Sequence, residues 1–190
     1  MPAYKIAVFV SGGGTNFQSI LDHIHEGKLR SQVVLCHSNK EDAYGLKRAE
    51  KAGIPTLVTR DDHVLLEALK EKEVDLIVLA GYLRILSKEF LEAISYPIIN
   101  IHPSLLPKHG GMGMYGIHVH EDVLKDGDKI SGATVHFVNS KVDGGEILLQ
   151  ESTAIEDCKS PQEIQEKVLK IEHQLLPKAI GKLESKEGLV

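Results

Sequence analysis

The sequence predicts an α/β fold: one domain over residues 1–190, built on a doubly wound, mostly parallel sheet of the Rossmann-like kind, with an antiparallel strand addition and a carboxyl-terminal helix. Three observations lead there. Short Val- and Ile-rich runs alternate with amphipathic helical patterns through the first hundred residues, as in parallel strands joined by crossover helices. A glycine-rich turn, Ser11-Gly12-Gly13-Gly14-Thr15-Asn16, stands between the first run and the first helix. From residue 133 the pattern changes to two alternating runs joined by a polar turn.

In order, 5–10 reads as a strand and 17–26 as a helix, 33–37 as a strand and 44–52 as a helix, 55–58 as a strand and 62–73 as a helix. Leucines 65, 66 and 69 share one face of that third helix. A strand at 76–80, a helix at 86–93 and a strand at 97–101 complete the doubly wound part. Strands at 133–138 and 146–151 follow, the second after Gly144-Gly145, with a turn over 139–143. Pro161 suits a helix start, and Val168, Ile171, Leu175 and Leu176 give the last helix an apolar stripe with Glu172 at its margin. No repeat, linker or low-complexity tract divides the chain.

Composition narrows the function classes. Hydrophobic residues make up 42% and charged residues 26%, enough for a sizeable aliphatic core and against intrinsic disorder. Lys and Arg number 22 against 27 Asp and Glu, a net charge of −5 with no basic stripe, so nucleic acid and anionic membranes are not expected partners. Two cysteines, Cys36 and Cys158, are too few for a disulfide framework or a Cys-rich zinc site. A strand pattern begins four residues in, and no segment approaches 18 apolar residues, so neither secretion nor membrane insertion is expected. A reducing cytoplasm fits best.

The glycine turn suits a phosphate. Glycines remove the Cβ atoms that block close approach, and a helix amino terminus offers unpaired N–H groups and roughly half a positive charge. No Gly-Lys-Ser/Thr follows, and the dinucleotide fingerprint would need glycine where Phe17 stands. The second strand ends in His37, Ser38 and Asn39 rather than a ribose-binding carboxylate. A monophosphate ester is the better match, the alternative being a tight turn capped by Thr15 or Asn16.

Asn100-Ile-His-Pro-Ser-Leu-Leu-Pro107 is the most informative segment. In an extended chain Asn100 and His102 project from one side while Ile99 and Ile101 enter the core. Pro103 stops the strand, which puts the pair at a carboxyl-terminal sheet edge, where open α/β sheets bind ligands.

These segments, with Leu79-Ala-Gly-Tyr-Leu-Arg-Ile-Leu86, Gly116-Ile-His-Val-His120 and Thr134-Val-His-Phe-Val ahead of Val142-Asp-Gly-Gly145, resemble the phosphoribosylglycinamide formyltransferase family, in that family's order and from Ile6 to about Pro177. The resemblance implies transfer of a formyl group from 10-formyltetrahydrofolate, the co-substrate, to the amine of glycinamide ribonucleotide in purine (IMP) biosynthesis, without a metal. It implies Asn100, His102 and Asp143 as the catalytic set. Amine attack makes a tetrahedral oxyanion, which an Asn100 N–H can stabilise. His102 would donate to that oxygen or carry a proton to the leaving folate nitrogen. Asp143 would accept the amine proton, directly or through water, or instead hold His102 in its useful tautomer.

The resemblance further assigns the phosphate to backbone groups of Gly12, Gly13, Gly14 and Thr15, with Asn16 at the helix start, and the ribose hydroxyls to Glu172. It assigns the folate to Leu83, Arg84, Ile85 and Leu86 and to Val138, Asn139, Ser140, Lys141 and Val142, with Arg84 free to pair with a donor carboxylate. His118 takes a supporting role, orienting Asp143 or its loop, while His120 and His136 are structural. Histidines 102, 109, 118, 120 and 136 raise the question of zinc, but no Glu-x-x-His or Cys pair accompanies them. The expected assembly is a monomer or weak homodimer. One stretch departs from the family: 108–115, Lys-His-Gly-Gly-Met-Gly-Met-Tyr, is several residues longer than the usual connection, a candidate lid to which no binding residue is assigned. Rival readings are a methionyl-tRNA formyltransferase, a formyltetrahydrofolate hydrolase, each expected to carry a further domain, and a non-catalytic nucleotide-binding module.

Overall fold

The computed structural model describes residues 3–186. Seven strands form one sheet in the order β3-β2-β1-β4-β5-β6-β7, and the described residues gather into two compact units, 3–99 with 180–186, and Asn100–Ala179.

The first unit holds β1 (Lys5–Val10), α1 (Thr15–His25), β2 (Gln32–Ser38), α2 (Tyr44–Lys51), β3 (Thr56–Val58), α3 (Asp62–Glu71), β4 (Leu76–Leu79), α4 (Lys88–Ala93) and the start of β5 (Ile98–His102). β1 pairs parallel with both β2 and β4, and β2 with β3. Ile6 to Val10 and Leu76 to Val78 are almost wholly buried, as strands covered on both faces must be, so continuous apolar runs rather than alternation mark them. Asp61 starts α3 by accepting from the His63 and Val64 amides, and Ser87 starts α4 by accepting from Phe90 N–H. That cap places the α4 start at Lys88 and leaves Leu86, expected inside the helix, in the preceding loop. Phe9 fills the centre, edge-on to the rings of His37 and Tyr82. Strand order turns around between β1 and β4, the switch point where such sheets open to ligands. Ser11 N–H donates to Gly81 O there at 3.1 Å, so the glycine turn and the 81–86 segment leave the sheet side by side.

The second unit holds the end of β5, α5 (Ile117–Asp126), β6 (Ile130–Phe137), β7 (Ile147–Ala154) and most of α6 (Pro161–Lys186). β6 and β7 pair antiparallel, the addition the sequence predicts, but the pairing starts at Ile130 and runs to Ala154, longer than expected at its far end. A register shift falls between Val135 and His136, and Thr134, Val135 and His136 are all buried, so strict alternation fails there. α5 was not expected. Its buried face contains Val119, Val123 and also His120, 1% exposed, and a histidine inside the stripe hides the helical period. Glu172, expected at the margin of the α6 stripe, is 8% exposed. Among the described residues no helix is long and apolar enough to cross a membrane.

Candidate active site

The glycine turn is built to bring backbone close to a ligand. Gly14 caps α1 with a left-handed backbone, φ 69°, and no side chain caps the helix, whose first turn carries no acidic residue. The helix start thus presents its amino-terminal N–H groups and their partial positive charge without a side-chain cap. Gly14 packs so closely on α2 that a Cβ would stand 2.7 Å from Gly45 Cα, while Cβ atoms at Gly12 and Gly13 would meet nothing within 4 Å. Thr15 is exposed and Asn16 is buried. Arg48 adds a cation: its Nε donates to Gly13 O at 2.8 Å and its Nη1 to Gln18 Oε1 at 3.0 Å.

Ser11 couples this turn to the segment after β4. Its hydroxyl donates to Asn39 Oδ1 at 2.7 Å and accepts from Leu83 N–H at 2.9 Å. Leu83 and Ile85 are exposed apolar side chains, Leu86 is buried, and Arg84 donates to Asp62 Oδ1 at 2.9 Å. The carboxylate that Arg84 meets here is thus one of the chain's own. His37 is fully buried, with Nδ1–H on Leu57 O and Nε2 accepting from the Tyr82 hydroxyl, and burial pushes it down to about 4.

In the second unit, Asn100, His102 and Asp143 come together. Asp143 Oδ2 lies 3.6 Å from His102 Nδ1, and Oδ1 lies 3.5 Å from His136 Nε2. The Asn100 amide nitrogen is 3.1 Å from the same His136 Nε2. His136 Nδ1 faces Phe137 O at 2.9 Å, and a carbonyl only accepts, so Nδ1 carries the proton and Nε2 accepts from the Asn100 amide. By the same logic His102 holds its proton on Nε2, which is 2.9 Å from His109 O, and its Nδ1 is the open nitrogen beside Asp143. Burial lowers the His102 pKa, with Asp143 and the His109 carbonyl opposing, which favours the neutral ring. Burial pushes Asp143 the other way, but the His136 ring, His102 and the Gly111 amide outweigh it and hold the group below the ordinary carboxylate value. Gly111 N–H donates to Asp143 Oδ2 at 2.9 Å.

Turn geometry fixes Asp143 in place. Its φ is 52°, a left-handed backbone that aspartate tolerates better than most residues. A Cβ on Gly145 would stand 1.7 Å from Phe137 O, so glycine is obligatory where the turn closes. Asn139 braces the same turn, accepting from Lys141 N–H at 2.9 Å; Ser140 and Lys141 are exposed, and Val138 and Val142 half-buried.

The formyl transferase family matches residues 4–180. The chain belongs to the formyl transferase family. Relatives include the chloroplastic phosphoribosylglycinamide formyltransferase of Arabidopsis thaliana, 41% identical over 93% of this chain, and the phosphoribosylglycinamide formyltransferase of Haemophilus influenzae, 41% identical over 97%. The chain spans 64% of the plant relative's length and 92% of the bacterial one's. Among solved structures, phosphoribosylglycinamide formyltransferase from Anaplasma phagocytophilum superposes with a TM-score of 0.90 at 30% identity, covering 97% of this chain and 88% of that one. Glycinamide ribonucleotide transformylase 1 from Symbiobacterium toebii gives 0.86 at 37%, covering 94% and 86%.

Within this formyl transferase, several contacts lie on residues to which sequence reasoning gave no part. His136 reaches both Asn100 and Asp143, whereas His118, the expected support, is exposed and faces Glu121 at 3.0 Å. His109 and Gly111 come from the long 108–115 connection and touch His102 and Asp143 through backbone groups, which no residue pattern reveals. Ser11 and Arg48 are contacts made only by folding. Of the histidines weighed for zinc, His109 lies with Asp122 and Asp126 closely enough to share an ion, but its ring nitrogens already face carboxylates of Asp122 and Asp128.

Proposed function

We propose that this chain transfers the formyl group of 10-formyltetrahydrofolate to the amine of glycinamide ribonucleotide in purine synthesis, as one formyltransferase domain in a reducing cytoplasm. The observation that carries the reading is the fixed hydrogen-bond polarity of Asn100, His102 and Asp143. The Asn100 amide, held by one N–H on His136, presents its other N–H to an oxygen that becomes negative during acyl transfer. His102 keeps Nε2–H on the backbone, so proton traffic passes through Nδ1, next to an ionised Asp143: the proton lost by the attacking amine goes to Asp143 and on through Nδ1 to the folate nitrogen, which leaves as its bond to the formyl carbon breaks. The phosphate is assigned to the amides of Gly12, Gly13, Gly14 and Thr15 with Asn16, Arg48 adding charge, and the ribose hydroxyls to Glu172. Folate contacts are assigned to Leu83, Ile85 and Leu86 and to Val138, Asn139, Ser140, Lys141 and Val142, with Arg84 reaching a donor carboxylate only if it leaves Asp62. The buried free thiols Cys36 and Cys158 fit the reducing setting.

The test is a spectrophotometric assay of folate release from 10-formyl-dideazafolate, with and without glycinamide ribonucleotide. Release is expected only with the ribonucleotide and not from Asn100→Ala. Asp143→Asn should lower kcat by about a hundredfold or more while leaving the KM for the ribonucleotide within about twofold, because shape stays and the proton acceptor goes. Release without the ribonucleotide would make the protein a hydrolase. Unchanged kcat in Asp143→Asn would remove that carboxylate from the chemistry.

A further inference from the structure

His109 is 9% exposed and has a φ of 54°, a left-handed backbone unfavourable for a residue with a side chain. Its ring nitrogens each meet a carboxylate: Nδ1 lies 2.7 Å from Asp122 Oδ2 on α5, and Nε2 lies 2.7 Å from Asp128 Oδ2 just beyond that helix. Two acceptors at donor distance call for two N–H groups, and only the imidazolium carries both. Asp126 completes the acidic surround, and the neighbouring Lys108 Nζ answers it, 2.5 Å from Asp128 and 3.5 Å from Asp126. With the ring fixed from both sides, the unusual backbone turns the His109 carbonyl to within 2.9 Å of His102 Nε2. Two residues on, the Gly111 amide donates to Asp143. One turn therefore holds both partners of the proton transfer, and the ring of His109 is what anchors it.

We propose that His109 is a positioning residue for formyl transfer: clamped between Asp122 and Asp128, it sets the backbone carbonyl that decides which nitrogen of His102 exchanges a proton. The proposal rests on the reading of His102 as part of the reacting set. It gives the long connection at 108–115 a job inside the site, and it assigns Asp122 and Asp128 a part in turnover although neither touches substrate.

The experiment is nitrogen-15 NMR of the imidazoles in the full-length protein, assigned by single His→Gln replacements, beside steady-state kinetics. In the unaltered chain both nitrogens of His109 should carry protons and His102 should be protonated at Nε2 alone. In His109→Phe, His102 should split between its two tautomers, with kcat down about tenfold or more and the ribonucleotide KM within about twofold. Should His109→Phe not fold, Asp122→Asn decides: it should leave His109 with one proton and shift the His102 tautomer in the same sense. A single proton on His109 in the unaltered chain, or an unmoved His102 tautomer in a folded variant, overturns the proposal. Absence of any transfer to the ribonucleotide would instead overturn the functional reading, since the NMR result judges the clamp without substrate.

Discussion

An asparagine amide is useful to an oxyanion only if its nitrogen end faces it. In the proposed reaction His136 orients Asn100: with its Nδ1–H on the Phe137 carbonyl, the neutral ring accepts at Nε2 from the Asn100 amide. His136→Leu should free the amide to rotate, lowering kcat by roughly tenfold with little change in thermal stability or KM; kinetics indistinguishable from the unaltered chain would show that Asn100 needs no such partner. The site was legible in the sequence to the extent that it lies in local patterns. Asn100 and His102 share a strand, and Asp143 stands in a recognisable turn. His136 is generic by type and 36 residues from Asn100, and His109 acts through a carbonyl that every residue has. Arg84 shows the same limit from the other side: its charge was legible, but its partner Asp62, 22 residues earlier, was not.

Among the elements, the β6–β7 hairpin carries the largest share of what positions Asp143. Gly145 lies against the Phe137 carbonyl with no room for a methyl group, so Gly145→Ala has to push the two strands apart. The expected cost is about 2–3 kcal/mol, a fall of roughly 5–10 °C in the thermal midpoint, with activity lost in the folded remainder. A midpoint within 1 °C, about the effect of a neutral surface change, would mean the turn relaxes easily. The hairpin itself was readable from alternation and Gly144-Gly145, and the parallel strands from apolar runs such as Ile6 to Val10. α5 was not, because His120 occupies a core position that a pattern reader marks as polar. The start of α4 moved for a related reason: Ser87 caps it, and capping outweighs the apolar residue before it.

For the whole molecule, buried neutral histidines make stability depend on pH. Burial pushes both His37 and His120 down from 6.5 to about 4. An unfolded chain takes up those protons near 6.5, well before the folded one does, so protonation favours unfolding. Their contribution to stability is full above about 6.5 and is lost as pH falls toward about 4. Asp143, held below its ordinary value, loses its contribution lower still, in the same direction. The thermal midpoint should therefore decline between pH 7.5 and 4.5, and less steeply in a folded His120→Gln variant; a flat profile for the unaltered chain would mean that neither ring is neutral in the fold. Gly12 and Gly13 stand at the opposite extreme from these constrained interior groups. Among the described residues no atom lies within 4 Å of where their Cβ atoms would stand, so the architecture would accept alanine at either. Any demand for glycine at either position would come from outside the polypeptide, and tolerance mapped at those two positions would separate the demands of a guest molecule from those of folding.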